Sequence, residues 1–322
     1  MLEQSFVCFP GVTPALERRL WEAGVRDWSA LSSAAAGAIL KADHEPLSAM
    51  VPEYRRRLTI GDAEFFERRL KGAQKLRLVR DFHARMAALD IETSGISIEA
   101  GITTLVGLCS QESFSCFVAD SDLADAPAWL AKHPLLVTFN GARFDLPILL
   151  AEFGAPWGYS GLREEDTHWG GGQPSLFADL AAPPAAQAHL DLMHALRELG
   201  YRGGLKRIER QIGMHRPEGI DGFSGLQAVR VWQRWAAERP AAEADTVAGL
   251  KQLIAYNLYD CANLLIMARF AYNDLVTKNN YPFRRFDDLN PFLEDLDETI
   301  HAVADRVLAK ALKSAARSGT KR

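Results

Sequence analysis

The chain has 322 residues, 48% of them apolar and 24% charged, an ordinary globular composition that argues against general disorder. No stretch approaches about 18 uninterrupted apolar residues, and Glu3 lies where a secretion signal would carry basic residues. We therefore expect a cytoplasmic protein that does not bind a membrane. The four cysteines form no close pair, so the sequence favours neither zinc nor disulfide bonds.

The formal net charge of −4 is unevenly distributed. Residues 1–85 hold 14 basic and 11 acidic side chains, residues 86–308 hold 18 and 30, and residues 309–322 hold five basic and no acidic ones. An acidic body with basic ends suits a metal-dependent enzyme that must hold a polyanion. It equally suits an enzyme whose termini are simply solvated.

The first part of the chain is predicted to be a helical module over residues 1–82. Thr13 and Pro14 are typical of the N-cap and first position of a helix. The preceding Pro10-Gly11 turn resembles the start of a helix-hairpin-helix element, whose backbone amides bind a phosphate. Because Thr13 replaces the second glycine of that element, a plain helical turn is an open alternative. The arginines within 55–57 and 68–71 either contact phosphates or form solvated helix faces.

From residue 86 the pattern changes to an α/β type, and the order of elements predicts a mixed sheet flanked by helices. Strands are predicted from residue 86 and over 102–110, 113–118, 135–139 and 189–192, and helices over 125–132, from 145, from 205, and over 226–238, 247–270 and 291–313. Residues 155–188 are predicted to be a long loop, in which Trp157, Tyr159 and Trp169 either stack on bases or cap the core.

The first chemical motif is Asp90-Ile91-Glu92, at the end of an apolar run. In a strand, alternation places Asp90 and Glu92 on one face and Leu89 and Ile91 on the other. Two carboxylates so close together need compensation, and Mg²⁺ or Mn²⁺ is the usual compensator because hard cations prefer oxygen ligands. The alternative is a strand end with two solvated acids.

Two further motifs each carry one aspartate. Asp145, in the segment 140–145, follows a buried strand and begins a helix, at the sheet edge where α/β proteins bind ligands. It is also compatible with an ordinary N-cap. Tyr256 and Asp260 lie at positions i and i+4 of a core-packed helix and so share a face. Tyr256 is thus able to hold a water beside a metal held by Asp260, although both side chains could instead be exposed.

In this order, the motifs Asp90-Ile91-Glu92, Asn140 through Asp145, and Tyr256-x-x-x-Asp260 resemble the three exonuclease motifs of the DEDDy branch of the DnaQ-like 3′–5′ exonucleases, within the ribonuclease-H-like superfamily. The Pro-Gly lead-in and the segment 203–206 resemble bacterial YprB-like ribonuclease-H-like proteins more closely. The resemblance spans about residues 86–275. It implies an α/β fold, a ribonuclease-H-like mixed β-sheet flanked by helices, over residues 83–280. The sequence pattern itself predicts a C-terminal helix and basic tail over residues 281–322.

The resemblance also implies a mechanism. Asp90, Glu92, Asp145 and Asp260 would hold two Mg²⁺ or Mn²⁺ ions about 3.5–4 Å apart, and Tyr256 would orient the attacking water. Phe144 and Leu89 would pack beneath the site. Asp191, at the end of the last predicted strand, is a fifth acidic candidate that the family motifs do not require. The candidate nucleic-acid contacts are Thr93, Asn140, Phe144, Lys206 and Arg207.

Two classes of function remain open. The first is a metal-dependent 3′–5′ exonuclease acting on a single-stranded 3′ end of DNA or RNA. The second is a non-catalytic nucleic-acid-binding or scaffold protein on the same fold. The presence of all four acids and the tyrosine favours the first. A nucleotide-sugar transferase using Asp90 and Glu92 would leave Tyr256 and Asp260 unexplained. The sequence favours neither DNA nor RNA, and it predicts no oligomeric state.

Overall fold

The computed structural model describes residues 1–95, 102–154, 187–292 and 295–319. A five-stranded sheet with the order β3-β2-β1-β4-β5 forms its centre. β1 is antiparallel to β2 and parallel to β4, β2 is antiparallel to β3, and β4 is parallel to β5. The predicted mixed sheet is therefore confirmed. The strands are β1 (Met86–Thr93), β2 (Thr103–Ser110), β3 (Phe114–Val118), β4 (Leu135–Thr138) and β5 (Ala188–Asp191).

Helices flank this sheet. None of the helices within the described ranges has the length and apolar character that spanning a membrane requires. The α-helices are α1 (Pro14–Glu22), α2 (Ala34–Leu40), α3 (His44–Ile60), α4 (Ala63–Glu67), α5 (Arg77–Phe82), α6 (Ala126–Leu130), α7 (Asp145–Phe153), α8 (Leu192–Glu198), α9 (Leu205–Gln211), α10 (Gly225–Glu238), α11 (Ala244–Lys278) and α12 (Leu296–Gly319). The 3₁₀ turns are Leu2–Gln4, Trp28–Ser32, Lys41–Asp43, Gly72–Leu76 and Leu123–Asp125. The predicted long loop and its three aromatic residues, Trp157, Tyr159 and Trp169, lie outside the described residues.

The N-terminal helices pack on the rest of the molecule. The Thr13 hydroxyl accepts a hydrogen bond from the Leu16 amide at 3.2 Å, as the predicted N-cap requires. Two parallel 2.7 Å hydrogen bonds join the fully buried Arg77 of α5 to Glu17 of α1. The same hydrophobic core contains residues from the N-terminal helices, the sheet and the C-terminal helix. The boundary at residues 82 and 83 stays a prediction.

The basic clusters of the N-terminal region form ion pairs within the protein. Arg56 and Arg57 both donate to Glu53, at 2.7 and 2.6 Å. The Nε atom of Arg68 donates to Glu64 at 3.0 Å, one turn earlier in the same stretch. These contacts favour a structural role over the phosphate contacts considered from the sequence.

The two faces of β1 belong to different hydrophobic clusters. Ala87, Leu89 and Ile91 pack with α6 and α7 on one face, whereas Ala88 packs into the main core under α11 on the other. Asp90 and Glu92 have the parity of Ala88, so their side chains lie on the α11 face. The predicted alternation along this strand is confirmed.

Helix α11 has 35 residues and crosses the sheet over β1 and β2. It extends beyond the predicted range of 247–270 at both ends. Gly107 of β2 pairs with Asp90 of β1, and a Cβ atom at Gly107 would lie 1.9 Å from Oδ1 of Asn257. A glycine at this position therefore lets α11 approach the sheet beside the carboxylates.

The C-terminal helix begins and ends later in the chain than predicted. α12 continues to Gly319, so the prediction of a helix ending near residue 313 is wrong, and most of the basic tail is helical. Ala311 and Ala315 are buried against the core, and Lys310 pairs with Asp122 at 2.8 Å. These contacts hold the helix in place through residues that the charge pattern assigned to a tail.

Candidate metal centre

Three carboxylates from two elements meet above β1. Asp90 and Glu92 of the strand and Asp260 of α11 each offer an oxygen, and these three oxygens lie within 4.8 Å of one another. Glu92 is 9% exposed and Asp260 4% exposed, while Asp90 is partly buried. The strand alternation and the crossing of α11 together bring these acids into one pocket.

Asp145 lies beside this group, at the end of β1, but is not among the three acids whose oxygens lie within 4.8 Å of one another. It is the first residue of α7 and is 4% exposed. Its Oδ1 accepts a hydrogen bond from the Ile91 amide, between the two strand acids, at 3.1 Å. The N-cap position belongs to Phe144, so Asp145 is not the ordinary N-cap considered from the sequence.

Tyr256 lies one turn before Asp260 on α11, so the two side chains share a face of the helix, and each shifts the pKa of the other. The centre of the Tyr256 ring lies 4.8 Å from the centre of the Phe223 ring, and the residue as a whole is 6% exposed. Burial, followed by the charges of Asp260, Asp90 and Glu92, raises the pKa of Tyr256. The tyrosine is therefore neutral at physiological pH.

Burial raises the pKa values of all four acids, and repulsion by other acids of the group adds to the shift at Asp90, Glu92 and Asp145. Burial is the largest cause at each. It raises the pKa of Glu92 to about 8, with help from Asp260 and Asp145, and that of Asp145 to about 7 against its amide hydrogen bonds. The pKa of Asp90 lies well above its usual value, and that of Asp260 is raised although Arg216 opposes the shift. A pocket of this kind favours either protons or cations.

Asn257 holds Asp90 in position. This residue was not identified from the sequence. Its side-chain amide donates to the backbone oxygen of Asp90 at 3.1 Å and to Oδ2 of Asp90 at 2.9 Å. Asn257 is fully buried. The available signal was a polar residue beside Tyr256 in a helix that is otherwise apolar toward the sheet.

Two cations face the acids from the segment that covers Tyr256. Lys206 of α9 lies with Nζ 4.4 Å from the centre of the Tyr256 ring and donates to the carbonyl of Phe223. Burial lowers the pKa of Lys206, and the Asp260 charge opposes that shift. Arg216 forms an ion pair with Asp260. Arg216 lies in a loop without a local motif, so no sequence pattern identified it.

The remaining candidate contacts surround this pocket. The Asp191 carboxylate accepts hydrogen bonds from three backbone amides, those of Asn140 at 2.8 Å, Ala142 at 3.2 Å and Met193 at 3.0 Å. It therefore holds the turn before α7, in which Asn140 has a φ of 65°. Thr93 is buried, Arg207 is exposed, and Phe144 packs with Leu89 in the cluster beneath the strand.

The donor set fits hard divalent cations. Asp90, Glu92 and Asp260 supply oxygen only, and oxygen ligands are those that Mg²⁺ and Mn²⁺ prefer. Because the acids repel one another when ionised, a cation would relieve the repulsion and the desolvation that raise their pKa values.

The central region of the chain matches a known protein family. The family model for the RNase_H superfamily (RNase_H_2) matches residues 87–272. A family B DNA polymerase from the hyperthermophilic archaeon Pyrobaculum calidifontis is structurally similar, with a TM-score of 0.39 and 14% identity over 58% of this chain. This chain spans 25% of that polymerase. The comparison with curated proteins finds no match. The range matched by the family includes all four acids and Tyr256.

Proposed function

Because the chain belongs to the RNase_H superfamily, we propose that it is a metal-dependent nuclease, and specifically a 3′–5′ exonuclease of the DnaQ-like DEDDy type with a YprB-like organisation. Nucleases of this superfamily act on nucleic acids and generally use divalent metal ions. The observation that carries the proposal is the assembly of Asp90, Glu92 and Asp260 within 4.8 Å, with Tyr256 one turn before Asp260 on α11. The proposed substrate is the single-stranded 3′ end of DNA or RNA.

Each residue has a defined part in this proposal. Asp90, Glu92, Asp145 and Asp260 would hold two Mg²⁺ or Mn²⁺ ions. Such ions, when bound, supply the positive charge that stabilises the attacking and leaving oxygens of a phosphodiester displacement. Asn257 holds Asp90, and the Ile91 amide holds Asp145, so both carboxylates are oriented before any ligand arrives.

Tyr256 is a hydrogen-bond donor in this proposal, not a base. Its raised pKa keeps the hydroxyl protonated, so it can position a water molecule or a phosphate oxygen without adding charge. Lys206, whose Nζ lies 4.4 Å from the centre of the Tyr256 ring, is the proposed phosphate contact beside the acids. Thr93, Asn140, Phe144 and Arg207 stay proposed contacts.

The experiment is digestion of 5′-labelled single-stranded DNA and RNA with Mn²⁺, Mg²⁺ or EDTA. We expect stepwise shortening from the 3′ end that stops with EDTA and in Asp90→Asn. Glu112→Gln, which changes an exposed acid in the turn between β2 and β3, is the matched control and should digest normally. Internal cleavage would make the protein an endonuclease. Binding without cleavage under either metal would contradict the proposal and support the scaffold function.

A further inference from the structure

Arg216 lies buried between two acids beside the metal centre. Its side chain is 3% exposed. Its Nε and Nη2 atoms donate to the two carboxylate oxygens of Glu209, at 2.8 and 2.6 Å. The same Nη2 contacts Oδ1 of Asp260. The guanidinium therefore has one bidentate partner in α9 and one further contact at the proposed metal ligand.

Glu209 is itself held in place. It is 2% exposed, and the side-chain amide of Asn263 donates to its Oε1 at 2.9 Å. Asn263 lies three residues after Asp260 on α11, so the anchor of the arginine and the acid that it touches are fixed to the same helix. The position of Arg216 is thus set by Glu209 and does not depend on Asp260.

The contact with Asp260 can be given up without releasing the arginine. The nitrogen that touches Asp260 is already bonded to Glu209, and Nη1 is buried with no hydrogen-bond partner among the described residues. A bidentate arginine–carboxylate pair is among the stronger charged contacts in proteins. Since Glu209 balances the charge of Arg216, the pair remains neutral when a cation takes over at Asp260.

We propose that Arg216 is the internal counter-ion of Asp260, which a divalent cation must displace, so that this arginine sets how tightly the centre binds metal. Arg216 contacts Oδ1 of Asp260, and a cation held by the three acids would compete with it for the same carboxylate. Without a metal, the guanidinium offsets part of the repulsion among the four acids. Arg216 is a positioning residue in this inference, which rests on the proposed metal-dependent function.

The test uses the double variant Glu209→Gln, Arg216→Gln in the full chain. It removes a neutral pair, so the net charge is unchanged, and a glutamine at position 209 still accepts from Asn263. Mn²⁺ binding is measured by calorimetry at fixed pH, and unfolding temperature is measured with EDTA and with Mn²⁺. The control is Arg284→Gln, Asp287→Asn, which removes an exposed ion pair of 2.8 Å.

We expect the double variant to bind Mn²⁺ about tenfold more tightly than the parent, which corresponds to about 1.4 kcal/mol. We also expect its metal-free unfolding temperature to fall and the gain in that temperature on adding Mn²⁺ to grow, while the control matches the parent. Equal or weaker Mn²⁺ binding by the double variant would overturn the inference alone. Absence of Mn²⁺ binding by parent and variant would overturn the proposed function, and the inference with it.

Discussion

Tyr256 brings a neutral hydrogen-bonding group into a pocket of charged side chains. It lies one turn before Asp260, and its ring packs against Phe223 and lies 4.4 Å from Nζ of Lys206. The ring contacts do not need the hydroxyl, so loss of the oxygen should leave the packing intact. The oxygen can therefore be tested separately from the ring.

Tyr256→Phe should lower kcat about 100-fold or more, because the positioned donor is lost while the four carboxylates stay in place. Mn²⁺ affinity measured by calorimetry should hardly change. The matched control is Tyr259→Phe on the same helix, which removes a hydroxyl that donates to Asp297 of α12, and it should keep the parent kcat. A large loss of metal affinity in Tyr256→Phe would show that the tyrosine supports the ligands and does not orient a reactant.

The five proposed catalytic residues were identifiable because each lies in a short local pattern with a fixed place on a strand or helix. Asn257 and Arg216 were not, because their partners are distant in sequence. Asn257 reaches Asp90 across 167 positions, and Arg216 acquires its role only when its loop folds back on α11. Such pairings depend on tertiary structure, which a single motif does not encode.

At the scale of elements, the site depends on how closely α11 approaches the sheet. Gly107 of β2 lies opposite Asp90, and the space above it is filled by Asn257 and by Cys261, whose Sγ would lie 3.0 Å from an added Cβ. Both neighbours are fully buried in the helix–sheet interface. An added methyl group has no free volume there.

Gly107→Ala should destabilise the protein by about 1–3 kcal/mol, the usual range for overpacking a core. It should also weaken Mn²⁺ binding, because Asn257 must move away from Asp90. Denaturant unfolding and calorimetry measure the two effects. Gly249→Ala is the matched control. There, within α11, an added Cβ would have its nearest neighbour at 3.6 Å, and we expect a gain of about 0.5–1 kcal/mol. Equal stabilities for the parent and Gly107→Ala would contradict this account of the interface.

Strand and helix positions were predicted well where apolar patterns are strong, and less well at the ends of the long helices. The prediction ended α11 near residue 270, before the polar residues Asn273 and Asp274. In the structure, the Asn273 side chain exchanges two hydrogen bonds with the backbone of Phe286, at 2.9 and 2.8 Å. When the hydrogen-bond partner of a polar residue lies in another segment, the sequence around that residue resembles the end of a helix.

For the whole molecule, the proposed centre makes folding depend on pH in a particular direction. The four acids have pKa values raised by burial, Glu92 from 4.5 to about 8 and Asp145 from 3.8 to about 7. The folded state therefore binds protons more tightly than the unfolded state. Stability is greatest below the ordinary pKa values of these acids and is lost as the pH rises through the raised ones.

The metal-free protein should therefore lose stability between about pH 5 and pH 8, by about 1.4 kcal/mol per pH unit for each extra proton bound by the folded state. Unfolding temperatures measured in EDTA across this range test the slope. Mn²⁺ should flatten it, because a bound cation replaces the protons and stabilises the folded state by an amount that grows with the logarithm of its concentration above Kd. Glu92→Gln should also reduce the slope in EDTA, whereas Glu112→Gln, at an exposed position, should keep it. A metal-free stability that is flat or rises over this range would mean that the four carboxylates are already compensated within the protein, leaving no electrostatic reason for the pocket to bind metal.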